Sequence, residues 1–247
     1  FWPDLQDITR KALNSSFGKG LTKTSRTAII KILRKGDKDP MEASSYHPIS
    51  LLSIFYKLAS CVITRRIKPV VEQLIGKEQK AYIKSNNIGS CILNLLNMMK
   101  FANDKKKAWL ILLIDFNKAF DSISHDFLNN ALELMGFGED MREWIKIFFN
   151  TREANVIING HLSSTIKLQQ GVPQGDVVSP YIFLLMVEIL LIKISKTKHL
   201  TGVKYASTED RASGFADDCT LFLERSEQNL RNCINILNDF WQISGLK

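Results

Sequence analysis

The sequence predicts an α+β fold, and three stretches predict it. Leu110 to Ile114 are consecutive branched apolar residues, the pattern of a strand buried on both faces. Gly214-Phe215-Ala216-Asp217-Asp218-Cys219-Thr220-Leu221-Phe222 sets turn-forming residues between strand formers, the pattern of a tight β-hairpin. From Ile54 to Leu74 the residues Phe55, Leu58, Ala59, Val62, Ile63, Ile67, Val70 and Val71 recur at three- and four-residue intervals, the period of an amphipathic helix.

In chain order, residues 4–17 can form a first helix and Thr27 to Leu33 a strand. The loop Arg34 to Pro40 is basic and contains Gly36, so it is either a solvated hairpin tip or a clamp for an anion. Pro48 forbids helix there and keeps the stretch to Leu52 extended. The following helix carries Lys57, Arg65, Arg66 and Lys68 on its polar face, which suits solvent or nucleic-acid phosphates. Ile88 to Phe101 forms another helix, ending in the polar turn Asn103 to Lys107. Beyond the central strand, Phe127, Leu128, Ala131, Leu132 and Met135 mark a helix that Gly136 terminates, and a further helix covers Glu139 to Phe149. Asn159-Gly160 turns the strand Ala154 to Ile158 back toward Leu168. Gln170 to Pro180 is a polar loop with two glycines, and Ser179-Pro180 is a helix start with serine as cap. The run Tyr181 to Ile194, interrupted by Glu188 and Lys193, is too short to span a bilayer and reads as a buried helix. Leu230, Cys233, Ile234, Leu237, Phe240 and Trp241 place a last amphipathic helix that stops at Gly245.

With 247 residues and 45 % apolar content, the chain can bury an ordinary globular core. Its net charge of +8 is uneven: residues 1–100 hold 17 Lys and Arg against 7 acidic residues, and residues 101–247 hold 16 against 18. The basic part is therefore a candidate for phosphate-backbone contact. Cys61, Cys91, Cys219 and Cys233 form neither a zinc spacing nor a disulfide framework, and the scattered His47, His125, His161 and His199 suggest no ligand cluster. The absence of a signal-peptide pattern and the free cysteines point to an intracellular, reducing compartment. Starting at Phe1 and stopping just after its last helix, the chain has the look of a segment cut from a longer polypeptide.

A buried strand that runs straight into Asp115 holds that carboxylate rigidly at the rim of the core, as a hard divalent cation requires. Taken singly, Asp115 and the pair Asp217-Asp218 are explained as well by turns or helix caps. Brought together, they make a two-metal site. In the loop Gly171-Val172-Pro173-Gln174-Gly175-Asp176 the glycines let a ligand approach the backbone closely, and the helix that follows favours an anion.

Four motifs, in this order, carry a resemblance: Pro48-Ile49-Ser50-Leu51-Leu52, Asp115-Phe116-Asn117-Lys118-Ala119-Phe120-Asp121, Gly171 to Asp176 with Ser179-Pro180, and Phe215-Ala216-Asp217-Asp218. Over nearly its whole length the chain resembles the fingers and palm of a reverse transcriptase of the non-LTR, LINE-like kind. The resemblance implies an RNA-directed DNA polymerase with an antiparallel palm sheet backed by helices and no thumb. Residues 1–108 would be the fingers and the start of the palm, and 109–247 the palm, with fingers segments returning at about 137–175. It further implies that Asp115 and Asp217, with the backbone of Phe116, bind two Mg²⁺ ions, or Mn²⁺, and that Asp218 completes the acidic cluster. Phe120 would lie under the nucleotide sugar, Gln174 against the nucleotide, and Lys35 and His47 at its triphosphate. Arg65, Arg66, Lys68, Gly175 and Asp176 are expected to meet template or primer. The partners would be an RNA template, a DNA primer and deoxynucleoside triphosphates, with no membrane, in nucleus and cytoplasm. His47 stands where the family usually has arginine, and residues Ala81 to Asn87 lack its usual Gly-Arg pair. Two alternatives use the same aspartates: an inactive nucleic-acid-binding relic and a two-metal nuclease.

Overall fold

The computed structural model describes residues 21–36, 38–42, 45–84, 86–105, 108–205 and 208–247. The helix expected over residues 4–17 lies outside them. The chain divides into two compact units, one of residues 1–67 and 125–179, the other of 68–124 and 180–247. Residues 68–108 thus belong with the central strand and not with the residues before them. Among the described residues, no helix is long and apolar enough to cross a membrane.

The first unit is built on a sheet of β1 (Thr27–Arg34), β2 (Tyr46–Leu51), β4 (Glu153–Ile158), β5 (His161–Leu162) and β6 (Ile166–Lys167), preceded by the short α1 (Lys23–Arg26). The strand order is β2-β1-β4-β5, with β6 also on β4. β1 and β2 form an antiparallel hairpin, whereas β1 and β4 run parallel, Thr27 facing Glu153. Pro48 is tolerated because β2 is an edge strand, where a missing backbone donor costs no ladder bond. Asn159 and Gly160 both take positive φ, 51° and 83°, as a two-residue hairpin turn needs. The unit's helices are the part of α2 (Ile54–Leu74) up to Ile67, α5 (His125–Leu134) and α6 (Glu139–Phe149). Their apolar stripes meet in a core where Tyr56 lies edge-on to Phe148 at 5.0 Å and donates its hydroxyl to the Phe148 carbonyl. That bond is what lets a phenol be fully buried.

The second unit is organised on the antiparallel sheet β3-β10-β9, formed by β3 (Trp109–Ile114), β9 (Ala212–Phe215) and β10 (Asp218–Glu224). Around it lie α3 (Ile88–Lys105), the single turn α4 (Ala119–Ser122), α7 (Ser179–Lys196) and α8 (Glu227–Ser244). α7 is apolar on nearly every side, and Ile182 to Val187 are all buried. α8 buries one stripe, Asn229, Cys233, Ile236, Phe240 and Ser244, and ends at Gly245, whose φ of 79° gives a left-handed cap. A Cβ there would stand 2.4 Å from the Ser122 carbonyl, so the close approach itself requires glycine. A small antiparallel hairpin, β7 (Val203–Tyr205) with β8 (Thr208–Asp210), was not expected from the sequence.

One expectation is corrected. β3 is not buried on both faces: it is an edge strand of its sheet, and Ile111 and Leu113 are 39 % and 78 % exposed. An uninterrupted apolar run is compatible with either placement, because periodicity vanishes when both faces are apolar.

Candidate active site

Three carboxylates gather at one end of the β3-β10-β9 sheet. Asp115 follows the last residue of β3, and the pairing of Ile114 with Cys219 sets it level with Asp218, the first residue of β10. Phe215 pairs with Asp218, so Ala216 and Asp217 form a two-residue turn, with Ala216 at a φ of 57°. Asp115 and Asp218 are exposed and Asp217 is half-buried. Burial, and then the charges of Asp218 and Asp115, push the Asp217 carboxyl above its ordinary value, which places the three groups within electrostatic reach of each other.

Among the described residues, no three His, Cys, Asp or Glu side chains converge closely enough to hold a metal ion by themselves. The donor set nevertheless suits a magnesium-like ion. Such an ion dehydrates reluctantly and is usually held by one or two carboxylates plus substrate phosphates, so a complete protein cage is not needed. The neighbouring Cys219 offers no thiolate, since burial and the nearby aspartates push its thiol up to about 12.

Phe116 is buried, which anchors the backbone just after Asp115. Phe120, on α4, is half-buried and stacks on the buried Phe183 with ring centroids 4.7 Å apart. Two residues near the acidic end were not anticipated. Tyr82 is 49 % exposed, holds a positive φ of 56°, rare for a bulky residue, and is close enough to Asp217 to feel its charge. Gln79 is fully buried and hydrogen-bonded to Ala216 in both directions. No periodicity marks either position.

The other expected residues lie in the first unit, apart from Lys68, the first residue of the second. His47 faces Leu33 across the β1–β2 ladder, and the Lys35 N–H donates to the Ser45 carbonyl at 2.8 Å. Period-two alternation therefore puts Lys35 and His47 on one face of the hairpin, both exposed. Arg65 and Arg66 are exposed on α2, whereas Lys68 is half-buried.

The loop carrying Gln174 is held at both ends. The Gly171 carbonyl accepts from His125 Nε2 at 2.9 Å and from Arg152 at 3.0 Å. Burial lowers the His125 pKa, so the imidazole is neutral and its single proton sits on Nε2. At the far end Asp176 is only 4 % exposed, and its carboxylate accepts from Ser60, the Val177 N–H and Ser179. The template contact expected of Asp176 is thus corrected: its oxygens are turned inward and taken. Ser179 likewise sends the hydroxyl expected to cap α7 to Asp176 Oδ2. Gln174 is half-buried, and Gly175, at a φ of 94°, is exposed. Ser60 could have been read from the sequence, as a polar residue on the apolar stripe of α2.

Residues 33–247 match the family described as reverse transcriptase (RNA-dependent DNA polymerase). The chain belongs to the reverse transcriptase family. Its relatives come from non-LTR retrotransposable elements, as the motifs implied. It is 29 % identical over 238 residues to the transposon TX1 uncharacterized 149 kDa protein of Xenopus laevis, covering 92 % of this chain and 18 % of that one. Against the Pol polyprotein of the R2 element of Popillia japonica, identity is 25 % over 98 % of this chain and 34 % of the relative. The RNA-directed DNA polymerase of the mobile element jockey from Drosophila funebris is 28 % identical over 79 % and 21 %. The chain therefore spans between 18 % and 34 % of the length of these relatives. Among solved structures, telomerase from Candida tropicalis with a TWJ fragment of telomeric RNA is 12 % identical, with a TM-score of 0.63 over 99 % of this chain and 43 % of that one. A C-terminally truncated apo telomerase from the same organism gives 12 % and 0.59 over 97 % and 51 %. At that identity the likeness is one of fold, the α+β arrangement of reverse transcriptase fingers and palm. Enzymes of the family work with divalent metal ions.

Proposed function

We propose that this chain is the catalytic part of an RNA-directed DNA polymerase of a non-LTR retrotransposon, adding deoxynucleotides to a DNA primer on an RNA template. The observation that carries the reading is that the strand register sets Asp115, Asp217 and Asp218 at one end of an antiparallel sheet, within electrostatic reach of each other. The first unit would serve as fingers and the second as palm.

When bound by Asp115, Asp217 and the Phe116 carbonyl, two Mg²⁺ ions, with Mn²⁺ as a substitute, would activate the primer 3′-hydroxyl and stabilise the leaving pyrophosphate. Asp218 adds negative charge beside that pair and keeps cations near. Lys35 and His47, on one hairpin face, would meet the triphosphate, His47 with one donor where arginine would offer a fork. Gln174 would rest against the incoming nucleotide and Phe120 under its sugar. Arg65, Arg66, Lys68 and the backbone at Gly175 would contact template or primer. With an RNA template and a DNA primer as partners, the chain would work in nucleus and cytoplasm.

The test is primer extension by the full chain on an RNA template with deoxynucleotides and Mg²⁺. Template-dependent DNA product, lost in Asp115→Asn and Asp217→Asn, is expected. Binding without extension would leave a nucleic-acid-binding relic, and strand cleavage at the same aspartates would make it a nuclease.

A further inference from the structure

The segment Glu78-Gln79-Lys80 acts as an extra strand along β9. Gln79 bridges to Gly214, whose N–H donates to the Glu78 carbonyl at 2.8 Å and whose carbonyl accepts from Lys80 at 2.9 Å. The Gln79 side chain is fully buried, and its amide is spent on the turn. Its Oε1 accepts from the Ala216 N–H at 3.1 Å, and its Nε2 donates to the Ala216 carbonyl at 3.3 Å. The same Oε1 accepts from the Lys80 and Ala81 N–H groups, which locks its own rotamer. Ala81 packs with Ala216 and Leu184, closing the turn from the apolar side.

Ala216 carries a Cβ yet sits in the left-handed region, a conformation that persists only where the surroundings enforce it. It immediately precedes Asp217. We propose that Gln79 is a positioning residue that fixes the turn aiming the Asp217 carboxylate, an inference that rests on the polymerase reading above. A primary amide of this length supplies an acceptor and a donor to one residue's backbone. An aliphatic side chain supplies neither, and an ionised carboxylate cannot donate.

The experiment compares Gln79→Ala and Gln79→Glu with wild type in the full chain. Hydrogen exchange at the Ala216 amide should quicken by roughly tenfold or more in Gln79→Ala, with little change in the helices. Primer extension, measured below all melting midpoints, should lose roughly thirtyfold in kcat in both variants, with nucleotide and primer KM within about threefold. Phe240→Leu, a core change in α8 adjusted by temperature to the same distance from its midpoint, should keep its kcat. Unchanged exchange at Ala216, or an equal loss of kcat in Phe240→Leu, would overturn the proposal. A wild-type chain that makes no DNA would sink the polymerase reading, and the exchange rates alone would then decide whether Gln79 holds the turn.

Discussion

Ser60, on the apolar stripe of α2, donates its hydroxyl to Asp176 and accepts the Val178 N–H, so one small side chain ties a helix to the loop that bears Gln174. Ser60→Ala leaves a buried carboxylate short of a donor and a buried N–H short of an acceptor. A loss of about 2–4 kcal/mol follows from two such defects. Denaturant melts should show it as a lower midpoint at unchanged slope, and a shift under about 0.5 kcal/mol would mean that the loop is held by other contacts.

Asp115→Asn and Asp217→Asn keep shape and remove charge. Extension should fall by roughly a thousandfold or more, because the loss is of the chemical step. Folding and RNA binding should stay near wild type, Asp115 being exposed and Asp217 half-buried. Asp217→Asn should even stabilise slightly, since its carboxyl is raised by burial and by its acidic neighbours. Wild-type turnover in either variant would sink the metal assignment.

How much of this was legible in the sequence depended on range. Asp115, Asp217 and Asp218 stand out in the sequence because each interrupts an apolar stretch where a charge has no packing role. The Asn159-Gly160 and Gly245 turns were found because their backbone angles restrict residue choice. By contrast, the inward turn of Asp176 depends on a serine 116 positions earlier, and the clamp on Ala216 on a glutamine 137 positions earlier. Neither pairing leaves a periodic trace. The open face of β3 leaves no mark in the sequence either, because Leu113 has the same chemistry whether covered or bare.

Phe120 stacks on Phe183 with one face, yet it is not sealed from solvent. Phe120→Val should therefore do two separable things. Loss of the stacked pair should lower stability by about 1–2 kcal/mol. Removal of the ring should raise ribonucleotide incorporation relative to deoxynucleotide by roughly a hundredfold, the equivalent of about 3 kcal/mol. Competition between the two nucleotide types on one template reads the second effect, and a constant ratio would assign Phe120 to the core alone.

Arg65 and Arg66 project from α2 on the basic part of the chain. If both meet phosphates, the double change Arg65→Ala, Arg66→Ala should weaken RNA binding and reduce the log–log salt slope by about 1–2. Filter binding between low and moderate salt measures this. An unaltered slope would make them solvated surface.

Glu188 is buried in α7, where burial, opposed by the Gly76 N–H at 3.0 Å, raises its pKa to about 7. Its ordinary value is 4.5, so between pH 4.5 and about 7 the folded chain holds more protons than the unfolded one. Stability from this group is accordingly greatest in acid and falls as pH rises through that window, by on the order of 3 kcal/mol. His125, lowered by burial, contributes with the opposite sign, so the informative quantity is a difference. Glu188→Gln should gain on wild type as pH rises from 5 to 8 in denaturant melts, and parallel curves would refute the assignment.

The parallel ladder between β1 and β4 sets a constraint on how the molecule comes into being. Thr27 must wait for Glu153, so during synthesis β1 has only its hairpin partner β2, and its other edge stays open while more than a hundred further residues emerge. Such non-local pairing is slow, and an unpaired, isoleucine-rich edge is open to capture by another nascent chain. Lys31 and Arg34 on that strand, beside the basic loop at Lys35, put like charges on any two chains that meet there. The positive charge that would suit the proposed nucleic-acid partner in the finished protein would also keep half-made copies apart.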